Sequence, residues 1–209
     1  MDTVRRLLDH AGRSYADEAG IKLTDKPAPL YQLLVLSVLL SNRIASDIAV
    51  AAARELNRAG LGTAEKMRDA TWQQRVDVLG RAHYKRYDEM TSTALGDGAE
   101  LIAEEYDGDL RKLREAADRD PAKIRKLLKR VPRIADVGAS IFAREAQLVW
   151  PELRPALDKK ALQGAKLLGL PEQQDKLAEL VDEQDLHRLA AALTRVALDK
   201  KLAPEIKNG

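Results

Sequence analysis

The sequence predicts an all-α protein, and three observations carry that expectation. A single Phe among 209 residues and few period-two alternations leave strand signals nearly absent. Ala, Leu, Arg and Glu, which favour helix, are abundant. Gly, Pro and capping Thr or Asp residues recur at short intervals and divide the chain into ten or more short helices.

The elements follow in order. A first helix is expected over Thr3–Glu18, ending at Gly20, with Pro27 and Pro29 marking a linker. Leu30–Ser41 is too apolar for a surface helix and belongs in a core. After a break at Ser41-Asn42-Arg43, Ala45–Asn57 resumes as a helix whose small residues permit close packing, and Gly60 and Gly62 end it. Thr63 caps a short helix to Asp69, and Thr71 caps another to Leu79, which Gly80 breaks. A long helix covers Tyr84–Tyr106, with a bend expected near Gly96 and Gly98. Asp107-Gly108-Asp109 forms a turn and cap before Leu110–Ala117. Pro121–Arg130 then opens on Pro121 after the capping Asp120. Past Pro132 come Gly138–Val149, a stop at Trp150-Pro151, a loop through Pro155, and Lys159–Leu168 closed by Gly169. Glu172–Val181 and Asp185–Lys200 complete the chain, the latter with Leu186, Leu189, Leu193 and Val196 on one face.

Composition narrows the function. A chain with no cysteine forms no disulfide and holds no thiolate-ligated metal or iron–sulfur cluster, and three scattered His (His10, His83, His187) make no His-rich site. No metal and no cofactor are expected. The longest apolar run, Leu33–Leu40, is far short of a membrane span, and the first twenty residues lack a signal-peptide pattern. A cytoplasmic protein without membrane partners is the expectation. The net charge of +2 announces no polyanion, but its distribution is uneven. Lys123, Arg125, Lys126, Lys129, Arg130 and Arg133 crowd eleven residues with no acid among them, enough to neutralise several phosphates or to solvate a helix face.

The segment beyond this run carries the chemistry. Val131-Pro132-Arg133-Ile134-Ala135 is a short break between two helices, and Asp158 follows Gly138 by twenty residues. A tight turn between two helices can point backbone N–H groups at a phosphate, and the helix after it adds its positive N-terminus. By spacing alone, Asp158 is as well suited to capping the helix at Lys159 as to catalysis.

The order of these elements resembles the endonuclease III-like DNA glycosylases of the helix-hairpin-helix (HhH-GPD) superfamily, over roughly Pro29–Leu170. Their hairpin reads apolar residue, Pro, Gly, aliphatic residue, Gly, three variable positions, Ala. Pro132, Ile134 and Ala139 match, while Arg133 and Ala135 stand where both glycines belong. Left-handed backbone at those two would cost about 1–2 kcal/mol each, so a somewhat different hairpin shape is expected, with the Arg133 side chain recovering part of the phosphate contact. Asp136 faces the same backbone and would repel phosphate.

The resemblance implies further roles. Asp158 takes the position of the carboxylate that stabilises oxocarbenium character at the sugar or activates the nucleophile. Val137 stands in the frame of the lysine that bifunctional members use, so no Schiff base and no lyase step are expected there. Arg43, after Asn42, stands at the usual position of the wedge that fills the gap left by an extruded nucleotide. Lys85 follows Gly80 at the family's spacing and would touch the phosphate backbone, as would Lys129, Arg130, Gly138, Lys159 and Lys160. His83 and Tyr84 would line a lesion pocket.

The fold implied is two-lobed, with a DNA-binding cleft between residues 29–130 and a second lobe of 1–28 plus 131–209. The function implied is a monomeric, nucleoid-associated base-excision repair protein, a monofunctional N-glycosylase acting on duplex DNA with a damaged base or abasic site. Two alternatives stay open: a non-catalytic damage-sensing relative, and a helical interaction protein that no longer binds DNA.

Overall fold

The computed structural model describes residues 2–199 and 201–208, and no strand occurs among them. The helices are α1 (Asp2–Ala11), α2 (Tyr15–Glu18), α3 (Pro27–Leu40), α4 (Ser46–Arg58), α5 (Ala64–Asp69), α6 (Trp72–Arg81) and α7 (Asp88–Tyr106). After them come α8 (Leu110–Ala116), α9 (Pro121–Leu128), α10 (Asp136–Ala146), α11 (Lys159–Leu168), α12 (Gln174–Ala178), α13 (Leu186–Leu198) and α14 (Leu202–Asn208).

Several boundaries differ from those the sequence predicts. The first helix is interrupted over residues 12–14, giving α1 and α2. Pro27 begins α3 instead of ending a linker, because a proline at the first helical position sacrifices only an N–H that has no partner there. Gly80 lies inside α6, so one glycine's propensity cost did not stop that helix. The long helix starts at Asp88, not Tyr84: Tyr87, with φ −133° and ψ 13°, is its N-cap, and His83 takes a left-handed φ of 59° five residues before it. α10 begins at Asp136, before Gly138, and α12 is shorter than Glu172–Val181. α13 ends at Leu198, Lys200 lies outside the described residues, and α14 was not anticipated.

The chain divides into two compact units. One is Ala16–Phe142, and the other joins the chain through Tyr15 to the chain from Ala143 onward. The N-terminal helix thus shares a unit with the C-terminal helices, while the hairpin residues 131–135, expected with them, lie in the unit of residues 16–142. The physical reason is apolar contact. Val131 and Ile134 are buried, and the Val131 side chain sits against Gly98 of α7.

In the Ala16–Phe142 unit, α3 is the centre. It is apolar on every side, and Leu30, Leu33, Leu36 and Leu39 are fully buried. Each such leucine contributes about 1.5–3 kcal/mol of burial free energy. α4, α7 and α8 pack on α3, while α5 and α6 pack on α7. Arg75 is an unexpected buried cation in this core. Its guanidinium donates to the carbonyls of Met67, Ala70 and Ser92, tying α5, α6 and α7 together. Gly96 makes room for it, since a Cβ there would lie 2.6 Å from its terminal nitrogen.

In the second unit, Val4 and Leu7 of α1 pack with Ala161, Ala165 and Leu168 of α11 and Leu189, Leu193 and Val196 of α13. α11 and α13 touch backbone to backbone at Gly164, where an added Cβ would lie 1.9 Å from the Leu193 carbonyl oxygen.

Candidate nucleic-acid interface

The turn at Val131–Ile134 places a left-handed residue, Arg133, at the first of the two positions where the resemblance expects glycine. Pro132 presets φ at the second position of a β-turn, Arg133 takes φ 69° at the third, and the Ile134 N–H donates to the Val131 carbonyl at 3.0 Å. Proline followed by a positive φ is the pattern of a type II turn, which ordinarily takes glycine where Arg133 stands. Ala135 is not left-handed, so the second glycine's conformation is not reproduced. α10 begins at the next residue, and Gly138 in its first turn abuts the 41–43 loop, a Cβ there falling 2.7 Å from Ser41 Oγ.

A hydrogen-bond chain runs from this turn into the same unit. One terminal guanidinium nitrogen of Arg133 donates to Asn42 Oδ1 at 2.6 Å. Asn42 Nδ2 donates to the Tyr84 hydroxyl at 2.7 Å, and that hydroxyl donates to the Leu39 carbonyl at 3.1 Å. Tyr84 is fully buried, so it supports the loop from beneath. Burial raises its hydroxyl above the ordinary tyrosine range, opposed by the bond from Asn42 and by the Arg133 charge. His83 beside it is exposed.

The cations divide into tied and available groups. Lys129 pairs with Asp136 at 2.8 Å, which offsets the carboxylate expected to repel phosphate. Arg130 pairs with Glu105, Lys123 with Asp118, and Arg125 donates to Ser140. Three of the six cations from Lys123 to Arg133 are therefore paired with acids, and exposed pairs of this kind are worth about 0–1 kcal/mol and exchange readily for a phosphate. Arg43 and Lys85 are exposed, and among the described residues neither has a side-chain hydrogen bond or ion pair. Val137 is 62% exposed on the first turn of α10.

Asp158 lies in the second unit and is well occupied. It is the N-cap of α11, one carboxylate oxygen accepting from the N–H groups of Lys160 and Ala161 at 3.0 Å each. The other oxygen meets Arg144 at 3.2 Å. Arg144 is 5% exposed and also donates to the Thr194 hydroxyl at 2.7 Å. The Asp158 side chain remains 17% exposed. Lys159 and Lys160 are exposed on the first turn of α11. Sequence reasoning missed Arg144, whose one signal is a charged residue flanked by the apolar run Ile141-Phe142-Ala143.

Among the described residues no cluster of His, Asp or Glu could hold a metal ion, and no helix is long and apolar enough to cross a membrane. No protein-family model and no curated protein matches this chain.

Proposed function

We propose that this protein binds duplex DNA through its Val131–Ala139 hairpin and acts in base-excision repair as a monofunctional N-glycosylase with an HhH-GPD-type fold. The observation that carries the reading is the left-handed Arg133. The arginine is exposed, its side chain bonds Asn42, and its left-handed backbone costs about 1–2 kcal/mol. Such strain persists where the conformation itself is used. A left-handed residue after proline, followed directly by the N-terminus of α10, is a backbone type suited to holding a phosphate. Arg43 fills the gap left by the extruded nucleotide, and Lys85, Lys129, Arg130, Lys159 and Lys160 supply phosphate contacts. Asp158, whose side chain remains 17% exposed, stabilises the developing oxocarbenium charge. Exposed Val137 forms no covalent intermediate, so the reaction ends at the abasic site.

The test is binding to duplexes with and without an abasic-site analogue, then a screen of damaged bases with Asp158→Asn as control. Base release abolished by that substitution, with binding retained, supports the glycosylase.

One observation favours a second reading, a damage-sensing DNA-binding protein without catalysis. The Asp158 carboxylate already serves a helix cap and a buried arginine, which accounts for its presence without chemistry. Selective binding with no base released across the screen would establish that reading. No binding at all would leave a helical interaction protein.

A further inference from the structure

We propose that Arg133 is a positioning residue for the Ser41–Arg43 loop, so that the turn that holds a phosphate and the loop that inserts into the duplex are set by one side chain. This rests on the DNA-binding reading above and deepens it. A glycine at position 133 would give the same turn without strain, so what the arginine adds is its side chain. That side chain reaches Asn42 at 2.6 Å, and Asn42 is the residue before Arg43. The far side of the Asn42 amide is held by Tyr84, itself anchored to the Leu39 carbonyl. Both polar ends of Asn42 are thereby engaged, and its amide plane is set. Tyr84 in turn follows His83, one of four other left-handed non-glycine residues among those described, with Asp107, Asp118 and Arg119. Two strained positions, 133 and 83, thus flank one hydrogen-bond chain.

A steric contact reinforces the electrostatic one, because Gly138 lets α10 lie directly on Ser41. Arg43 has no side-chain partner among the described residues, so its direction comes from the backbone of this loop. The guanidinium gives one terminal nitrogen to Asn42, and its remaining N–H donors can meet a phosphate in the fork geometry suited to that anion. Phosphate docking at the turn and the stance of Arg43 are then linked through one planar group.

The test uses the full chain with Arg133→Gly, Arg133→Lys, Asn42→Ala and the Arg133→Gly/Asn42→Ala double variant, and reads two signals. The first needs no DNA: hydrogen exchange of the Ile44 amide, which donates to the Asn42 carbonyl at 2.8 Å. The second is 2-aminopurine fluorescence beside an abasic-site analogue in a duplex saturated with protein. Arg133→Gly is expected to keep or raise the melting temperature, because it relieves the turn. It should nevertheless speed Ile44 exchange and reduce the fluorescence gain by roughly three- to tenfold, the range one hydrogen bond supports. Arg133→Lys, which retains a donor, should recover part of both signals. Asn42→Ala, which also removes the bond to Tyr84, should act at least as strongly as Arg133→Gly, and the double variant should be no worse than Asn42→Ala alone. Unchanged Ile44 exchange in Arg133→Gly, or additive effects in the double variant, would overturn the proposal. If the unaltered protein shows no duplex binding, the DNA reading falls, while Ile44 exchange still decides whether Arg133 positions the loop.

Discussion

Asp158 has two structural duties before any chemical one, and they govern how its substitution must be read. Asparagine is as good an N-cap as aspartate, so Asp158→Asn leaves the cap of α11 nearly intact. It does, however, strand the buried Arg144 guanidinium without its counter-charge. Breaking one side of a buried pair costs about 3–5 kcal/mol, and a lower urea midpoint for Asp158→Asn is the expected result. Adding Arg144→Met removes the orphaned charge and should recover most of that loss. An unchanged midpoint in the single variant would mean the pair contributes no anchoring. Loss of base release in Asp158→Asn therefore counts as chemistry only under conditions where the variant is folded. The Arg144→Met background supplies those conditions.

Helix contacts give the next test. At Gly164 the obstacle to a side chain is the Leu193 backbone carbonyl, which cannot step aside without moving α13. At Gly138 it is the Ser41 hydroxyl, which can rotate. Gly164→Ala should therefore destabilise by about 1–3 kcal/mol or more, and Gly138→Ala by less, as read from denaturant midpoints. The reverse ranking would mean α11 and α13 approach less closely. Gly138→Ala should instead show itself in weaker insertion of the 41–43 loop. Much at this level was legible in the chain. The apolar run at Leu30–Leu40, the caps at Thr63, Thr71, Asp109 and Asp120, and the stop at Gly169 each announce a local preference that the fold obeys. What escaped depended on distant partners. The burial of Arg75 under three carbonyls and the Arg144 pair each join segments that no periodicity connects. The turn at Val131–Ile134 was legible as a break between two helices but not as a shape, because propensity argued against a left-handed arginine and a contact 91 residues away accompanies it.

For the whole chain, two bulk properties follow. Tyr31 and Tyr84 are held above the ordinary tyrosine value of 10.0, chiefly by burial, so the folded protein keeps both protonated. That contribution is fully present below pH 10 and is lost as pH rises past the unfolded value toward the folded one. Denaturant midpoints should fall above pH 10, and less steeply in Tyr84→Phe. A net charge of only +2 supplies little long-range attraction, so under the proposed function duplex affinity would come from local contacts at the Val131–Ala139 segment and its neighbouring cations. Such affinity is steeply salt-dependent: three neutralised phosphates imply a loss of about 40-fold between 50 and 200 mM salt. The measurement to make first is equilibrium binding of the purified protein to a duplex carrying an abasic-site analogue, against the intact duplex, at those two salt concentrations. Preference for the abasic duplex with that salt dependence is the expected result. Absence of binding at 50 mM would contradict it, and would mean that the strained turn at Arg133 serves the fold and not DNA.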